Sequence, residues 1–254
     1  MTEQNNFGQY IGSHLDDDVT LSLPDLRQLP GRYCTLQLLS TRHGNDLFQG
    51  WHSIEDSRDW TYLPDERPPT KQATHSYIQQ LIQQKGVYHY AIIENNSGKA
   101  VGTLSLYNLD NKNGVAEIGS VHLTPVIKRT SVSTEAMFLL LSYVFDVLKY
   151  RRCEWQTDRL NSQGMRSAER LGFQKEGILR NKQILKSRNV DVVMYSIIQD
   201  EWERISSAIT IWLRTVNFDD RGHQIHPLRH YLATTEPDSF VIAPRRYWKK
   251  GESE

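Results

Sequence analysis

The chain has 254 residues, 30 basic against 30 acidic side chains, and two cysteines. Balanced charge argues against a general nucleic-acid or membrane-surface binder, which carries a basic excess, and two cysteines cannot build a disulfide framework, which points to a reduced compartment. The start, Met1 to Asp18, lacks the basic and apolar regions of a signal peptide, and the longest apolar run, Met137 to Phe145, is broken by Ser142 and too short to span a bilayer, so a cytoplasmic globular protein is expected.

Residues 1–30 read as a polar arm. Asp16 to Asp18 repel one another, while Leu21, Leu23, Leu26 and Leu29, punctuated by Pro24 and Pro30, are spaced to dock on a core. Alternation over 33–39 predicts a strand, and Thr41 opens a helix over 42–52 with Leu47, Phe48 and Trp51 as its apolar face. The aromatic run Trp60 to Pro64 reads as a loop, and Thr70 begins a second helix to 84 with Tyr77, Ile78, Leu81 and Ile82 at helical spacing. Strands over 88–94, 100–108 and 115–123, separated by turn-rich breaks, read as an antiparallel meander. The strongest helical stripe covers 133–149 through Ala136, Met137, Leu140, Leu141, Val144 and Leu148. A strand at 153–157, a helix at 161–171 stopped by Gly172, and strands at 173–184 and 190–198 about a basic turn complete the order β-α-α-β-β-β-α-β-α-β-β. The β-α-β unit spanning 115–157 implies one parallel pair in an otherwise mixed sheet, with helices on both faces. Ile209, Trp212, Leu213 and Val216 form a further helix face within 205–216, and the stretch Phe240 to Trp248 with Arg245, Arg246, Lys249 and Lys250 reads as a solvated tail.

Four motifs fall on this order. They are Ala116-Glu117-Ile118-Gly119 leading to His122-Leu123-Thr124-Pro125; Arg129-Thr130 to Thr134-Glu135-Ala136; Asp158 to Asn161; and Glu169 to Phe173 with Glu176, Gly177 and Arg180 beyond. In their order and spacing they resemble the GNAT superfamily of acyl-CoA-dependent N-acetyltransferases, in particular the branch related to the RimJ/RimL ribosomal-protein acetyltransferases. The resemblance covers Pro30 to Trp202 and implies an α/β (α+β mixed) fold, with a mostly antiparallel mixed sheet and a central parallel β-α-β splay. It divides the chain into an arm (1–30), an acetyltransferase domain (31–202) and a C-terminal helix and extension (203–254). Two departures stand out. The pyrophosphate loop, Lys128 to Thr134, has no glycine, and Gly164 occupies the place where the branch usually carries a serine.

The resemblance implies transfer of an acetyl group from acetyl-CoA to a primary amine: a small-molecule amine, an amino acid or a protein N-terminus. Transfer is direct, in a ternary complex of a monomer or homodimer, without metal, nucleic acid or membrane. A helix N-terminus presents unpaired N–H groups and suits a phosphate, so Lys128, Arg129, Thr130, Ser131, Val132, Ser133 and Thr134 are the expected cradle, although the same hydroxyls also suit a plain Ser/Thr-capped helix. Val121 and Leu123 flank the pantetheine slot, a backbone N–H near Leu123 polarises the thioester, and Asn161, Gly164 and Arg166 complete the donor contacts. Glu117 is the expected general base, on one strand face with Val121 and Leu123; His122, on the other face, is the second candidate. Ser162 and Ser167 are the hydroxyls near the expected leaving thiolate. Trp60, Tyr62, Glu117 and Trp155 are the acceptor-side candidates, along with Trp51, which like Trp155 also suits core packing. The rival readings are a non-catalytic acyl-CoA-binding module and an interaction protein that binds no CoA.

Overall fold

A computed structural model of the chain describes residues 2–12, 14 and 28–234. The acidic run at Asp16 to Asp18, the leucines Leu21, Leu23 and Leu26, and the basic stretch at 245–250 lie outside the described residues. A small hairpin, β1 (Thr2–Gln4) on β2 (Tyr10–Gly12), stands apart from one eight-stranded sheet. That sheet contains β3 (Gln28–Pro30), β4 (Cys34–Leu38), β5 (Tyr88–Glu94), β6 (Ala100–Asp110), β7 (Val115–Leu123), β8 (Arg152–Asp158), β9 (Gln174–Leu185) and β10 (Arg188–Ile198), in the order β3-β4-β5-β6-β7-β8-β10-β9. Every neighbouring pair is antiparallel except β7 and β8. This is the mixed, mostly antiparallel sheet with one parallel pair that the motif order implies.

Helices α1 (Gly44–Trp51), α2 (Lys71–Ile82), α3 (Ser131–Ser142), α4 (Ser162–Arg170), α5 (Gln199–Trp212) and α6 (Leu228–Thr234) complete the fold. Strand alternation divides the core between the two sheet faces. In β5, Tyr90 and Ile92 join a large cluster with residues of α3, α4 and α5, whereas Ala91 and Ile93 join a smaller one with Leu47 and Trp51 of α1 and Ile78 of α2. Thr70 caps α2 by accepting from the Ala73 N–H (3.1 Å), as its position suggests. The helix expected over 133–149 is α3, starting earlier at Ser131, followed by a π-helical segment over Tyr143–Val147.

Both ends of the expected domain reach further than the motifs do. Leu29 in β3 is fully buried, so part of the supposed arm belongs to the sheet. The limit at Trp202 falls inside α5, whose Trp202, Ile205, Ile209 and Trp212 all join the large cluster. Among the described residues, no helix is long and apolar enough to cross a membrane.

Glu135 ties the first strands to α3. Buried in the first half of that helix, its carboxylate accepts from the backbone N–H groups of Arg32 (2.8 Å), Tyr33 (2.6 Å) and Cys34 (2.8 Å). Gly31 runs beside it; a Cβ there would lie 2.7 Å from the carboxyl carbon, so the close approach requires glycine. Burial, reinforced by this carboxylate, pushes the Cys34 thiol well above its ordinary range. Glu135→Ala leaves three N–H groups without their acceptor and should cost about 3 kcal/mol or more, whereas Glu135→Gln keeps one acceptor oxygen and should cost less. Urea unfolding of the two variants checks the order; equal, small losses would contradict the clamp.

Candidate active site

The site begins where the parallel pairing stops. β7 matches β8 only at Val115 with Arg152, Ala116 with Cys153 and Glu117 with Glu154, although both strands continue beyond. On its other edge β7 stays paired with β6 as far as Leu123 with Gly102. Beyond Glu117, then, one edge of β7 faces a fork rather than a partner strand. The backbone also changes phase there: between Gly119, opposite Ser105, and His122, opposite Thr103, β7 holds one extra residue, and Ser120 takes φ +47°. Such a bulge shifts the alternation of side chains by one.

That shift corrects the expected faces. Ala116 and Ile118 lie in the large cluster, so Glu117 points to the α1/α2 side; past the bulge, Val121 and Leu123 pack on the large cluster, and His122 joins Glu117 on the α1/α2 side. Glu117 therefore does not share a face with Val121 and Leu123, and His122 is not opposite it. Glu117 is buried and accepts from the Tyr107 hydroxyl (2.8 Å), Asn108 Nδ2 (2.8 Å) and Gln156 Nε2 (3.0 Å), the last reaching across the fork from β8. Burial raises its carboxyl above the ordinary range, while these three donors pull it back. A Cβ on Gly119 would collide with the Tyr107 hydroxyl, so glycine leaves the room that Tyr107 needs to reach Glu117.

A cavity of about 90 Å³ lies between α1, α2 and the sheet, lined by Trp51, Trp60, Tyr77, His89 and His122 among others. Trp60 stacks edge-on to Trp51 (5.0 Å) and His122 (4.5 Å). Burial holds His122 down to about 4, with Asp59 opposing and Lys128 assisting the shift, and burial alone does the same for His89. His89 is satisfied by the Ser105 hydroxyl (2.7 Å) and Gln84 (3.0 Å), whereas His122 Nδ1 has no partner among the described residues.

From β7 the chain runs through a 3-10 turn, Pro125–Ile127, into α3. Thr130 is the N-cap residue, but its hydroxyl donates back to the Ile127 carbonyl (2.8 Å) and no side-chain cap forms. The first N–H groups of a helix have no partner within it, so those of Ser131, Val132 and Ser133 face outward uncapped. The loop lacks glycine yet keeps a left-handed residue, Arg129 at φ +65°, a conformation that glycine adopts freely and arginine does not.

The amino-acid comparisons agree with this geometry. A family model for the acetyltransferase (GNAT) domain matches residues 34–174. The chain belongs to the GNAT acetyltransferase family. A solved GCN5-related N-acetyltransferase from Brucella melitensis is 37% identical, superposes with a TM-score of 0.80, and covers 83% of this chain and 96% of its own. The N-acetyltransferase p20 of Bacillus licheniformis, uncharacterized by name, is 27% identical over 66% of this chain and 94% of its own length. YdaF of Bacillus subtilis, a candidate ribosomal N-acetyltransferase by name, is 32% identical over 42% of this chain and 57% of its own. The likeness to YdaF agrees with the RimJ/RimL-related branch. N-acetyltransferases of the GNAT family generally use acetyl-CoA.

Within this GNAT frame several expected residues play other parts. The hydroxyls of Thr130, Ser133 and Thr134, read as phosphate donors, donate to the carbonyls of Ile127 and Thr130, and Thr134 also accepts from Arg170 Nη2 (2.6 Å). Val132 is buried. Lys128 pairs with Asp59 Oδ1 at 2.5 Å, a partner that no motif signals. What remains open at the helix start is the exposed Arg129, the half-buried Ser131 and the first-turn N–H groups. Trp155 packs on Phe173 in the large cluster, on the sheet face away from Trp60, and is not an acceptor-side residue. Tyr62 donates to the Leu160 carbonyl (3.0 Å), joining the α1–α2 connection to the end of β8. Asn161 caps α4 through the Gly164 N–H (2.9 Å). A Cβ on Gly164 would lie 2.5 Å from the Thr157 hydroxyl, which excludes the serine of the branch without a shift. Ser162, Ser167 and Arg166 are exposed on α4, and neither hydroxyl has a partner among the described residues. No group of three or more His, Cys, Asp or Glu side chains placed to hold a metal occurs among the described residues.

The two buried histidines set a pH dependence. Unfolded, they bind protons near 6.5; folded, only near 4. The unfolded chain therefore holds more protons between those values, and stability is lost as pH falls from about 6.5 to about 4, by at most about 3 kcal/mol for each group. Denaturant unfolding at pH 7 and pH 4.5 should show the loss, and His122→Asn should shrink it. An unchanged difference in that variant would contradict the assignment.

Proposed function

We propose that this chain is an acetyl-CoA-dependent N-acetyltransferase that brings donor and amine together in one ternary complex. The observation that carries this reading is the fork between β7 and β8, continuous in the chain with an uncapped α3 N-terminus. Unpaired strand edges suit the amides of pantetheine, and free helix N–H groups beside Arg129 suit a pyrophosphate. A backbone N–H near Leu123 is the donor proposed to polarise the thioester carbonyl.

The amine nitrogen attacks that carbonyl carbon, the C–N bond forms, the C–S bond breaks, and the thiolate leaves to take up a proton. The nitrogen sheds its surplus proton in return. We assign that proton to His122, which lines the acceptor cavity, in preference to Glu117, whose carboxylate already holds three donors. His122 is a weak base, but attack on the thioester makes the nitrogen strongly acidic, so transfer late in the step suffices. Glu117 then acts as a positioning group, holding Tyr107, Asn108 and Gln156 across the fork.

His122→Asn should lower kcat about 100-fold with the acetyl-CoA Kd within about twofold of the parent, a shift worth less than 0.5 kcal/mol. Glu117→Gln should lose more stability than rate, because its new NH₂ group meets donors rather than acceptors. A larger kcat loss in Glu117→Gln than in His122→Asn would return the base role to Glu117. Arg129→Ala should weaken acetyl-CoA binding about tenfold with kcat retained. Tight acetyl-CoA binding with no thiol released for any amine would support the non-catalytic module instead.

A further inference from the structure

The basic turn between the last two strands has a partner far from it in the chain. Lys186 and Ser187 close the β9–β10 hairpin between the paired residues Leu185 and Arg188, and both take positive φ, +49° and +61°. A two-residue turn of this kind favours Asn-Gly, because other side chains are strained there. Here its first position holds a lysine whose ammonium donates to the Trp60 carbonyl (2.8 Å) and pairs with Glu66 Oε1 (3.1 Å), both on the α1–α2 connection. The Glu66 side chain is 75% exposed, so that pair alone contributes little. The Lys186 side chain is only 24% exposed and Trp60 is buried, so the bond to the carbonyl is a charge-assisted one largely out of water and is the stronger tie.

Two more contacts hold the same stretch. Asp59 meets Lys128, which follows β7 (2.5 Å), and Tyr62 donates to the carbonyl of Leu160, which follows β8 (3.0 Å). β7 and β8 are parallel and pair only at their starts, so both contacts lie at the open end of the fork. Residues 59–62 therefore run from one prong to the other as a strap, and Lys186 holds that strap from the β9–β10 turn. Trp60, between the two anchors, lines the cavity and packs edge-on to His122 (4.5 Å). Closing a site in this way keeps water from a reactive group inside it.

Building on the acetyl-transfer reading, we propose that Lys186 is a positioning residue, which holds the strap 59–62 over the open end of the fork and so shields the bound thioester from water. With the strap lifted, water takes the place of the amine. Its oxygen attacks the carbonyl carbon, the C–O bond forms and the C–S bond breaks. The leaving thiolate takes up the proton that the water sheds, and the products are acetic acid and CoA.

The test uses the full chain with acetyl-CoA and no amine. Thiol release reads hydrolysis, calorimetry with CoA reads donor binding, and amide exchange reads the strap through the N–H groups of Trp60, Thr61 and Leu63, which bond to the carbonyls of Ser57, Arg58 and Trp60. Lys186→Met should raise hydrolysis about tenfold and speed exchange of those amides by a similar factor, with the CoA Kd within about twofold of the parent. Lys186→Arg keeps a cation at the turn and should stay near the parent in both readouts. Lys186→Gly removes the tie but eases the left-handed turn. Its melting temperature should match or exceed the parent while hydrolysis rises as in Lys186→Met, a separation that a merely structural lysine would not produce. Unchanged exchange in Lys186→Met and Lys186→Gly, or faster exchange without faster hydrolysis, would overturn the proposal. Failure to bind CoA or acetyl-CoA would instead overturn the transfer reading, whatever the strap does.

Discussion

Strand β7 has two neighbours and keeps only one of them. It stays with β6 to Leu123 but leaves β8 after Glu117, and everything proposed for the donor depends on that release. Releasing an interior strand edge exposes backbone donors and acceptors, which a protein tolerates where a ligand or water can satisfy them. Two features stabilise the fork. The bulge at Ser120 adds twist to β7 where it diverges, and Glu117 with Gln156 bridges the two strands just where their backbones stop pairing. Gly119 supports the bridge, since it leaves the space in which Tyr107 reaches Glu117.

The same bulge shapes the cavity proposed to receive the amine. Without the extra residue His122 would face the large core with Ala116 and Ile118, and Val121 and Leu123 would turn away from it. With it, His122 turns under Trp51 and Trp60. The two indoles come from α1 and from the 3-10 turn at Arg58–Trp60, so the cavity is closed by a segment that also holds Asp59 against Lys128 in the loop before α3. The loop before α3 and the roof of the cavity thus share an ion pair. Neutral composition hides this arrangement: Lys128 and Lys186 each meet a carboxylate on that one connection, Asp59 or Glu66.

Most of the fold was legible in the sequence, because it is written in periods. Alternation over β4 to β8 and the helical stripe of α3 place those elements to within a few residues, and the motif order implies the single parallel pair. The errors have physical causes. A bulge formed by a serine with positive φ leaves no mark on composition, so simple alternation inverts the face of His122. Trp155 and Trp60 look alike in a sequence, but they lie on opposite faces of the sheet, and only burial on either side distinguishes them. The hydroxyls of Thr130, Ser133 and Thr134 sit at a helix start, where they can face a phosphate or fold back on carbonyls three or four residues earlier; the choice is local geometry. Glu135 reads as an ordinary first-turn acid, and nothing near it signals three backbone donors contributed by residues 32–34.

The central claim, that the fork and the start of α3 together receive the acyl donor, is tested most directly by amide hydrogen exchange with and without acetyl-CoA. The account predicts slower exchange for the β7 edge over residues 118–124 and for the first turn of α3, Ser131 to Ser133, with the β1–β2 hairpin unaffected. Donor binding that leaves both of those segments unchanged would contradict it.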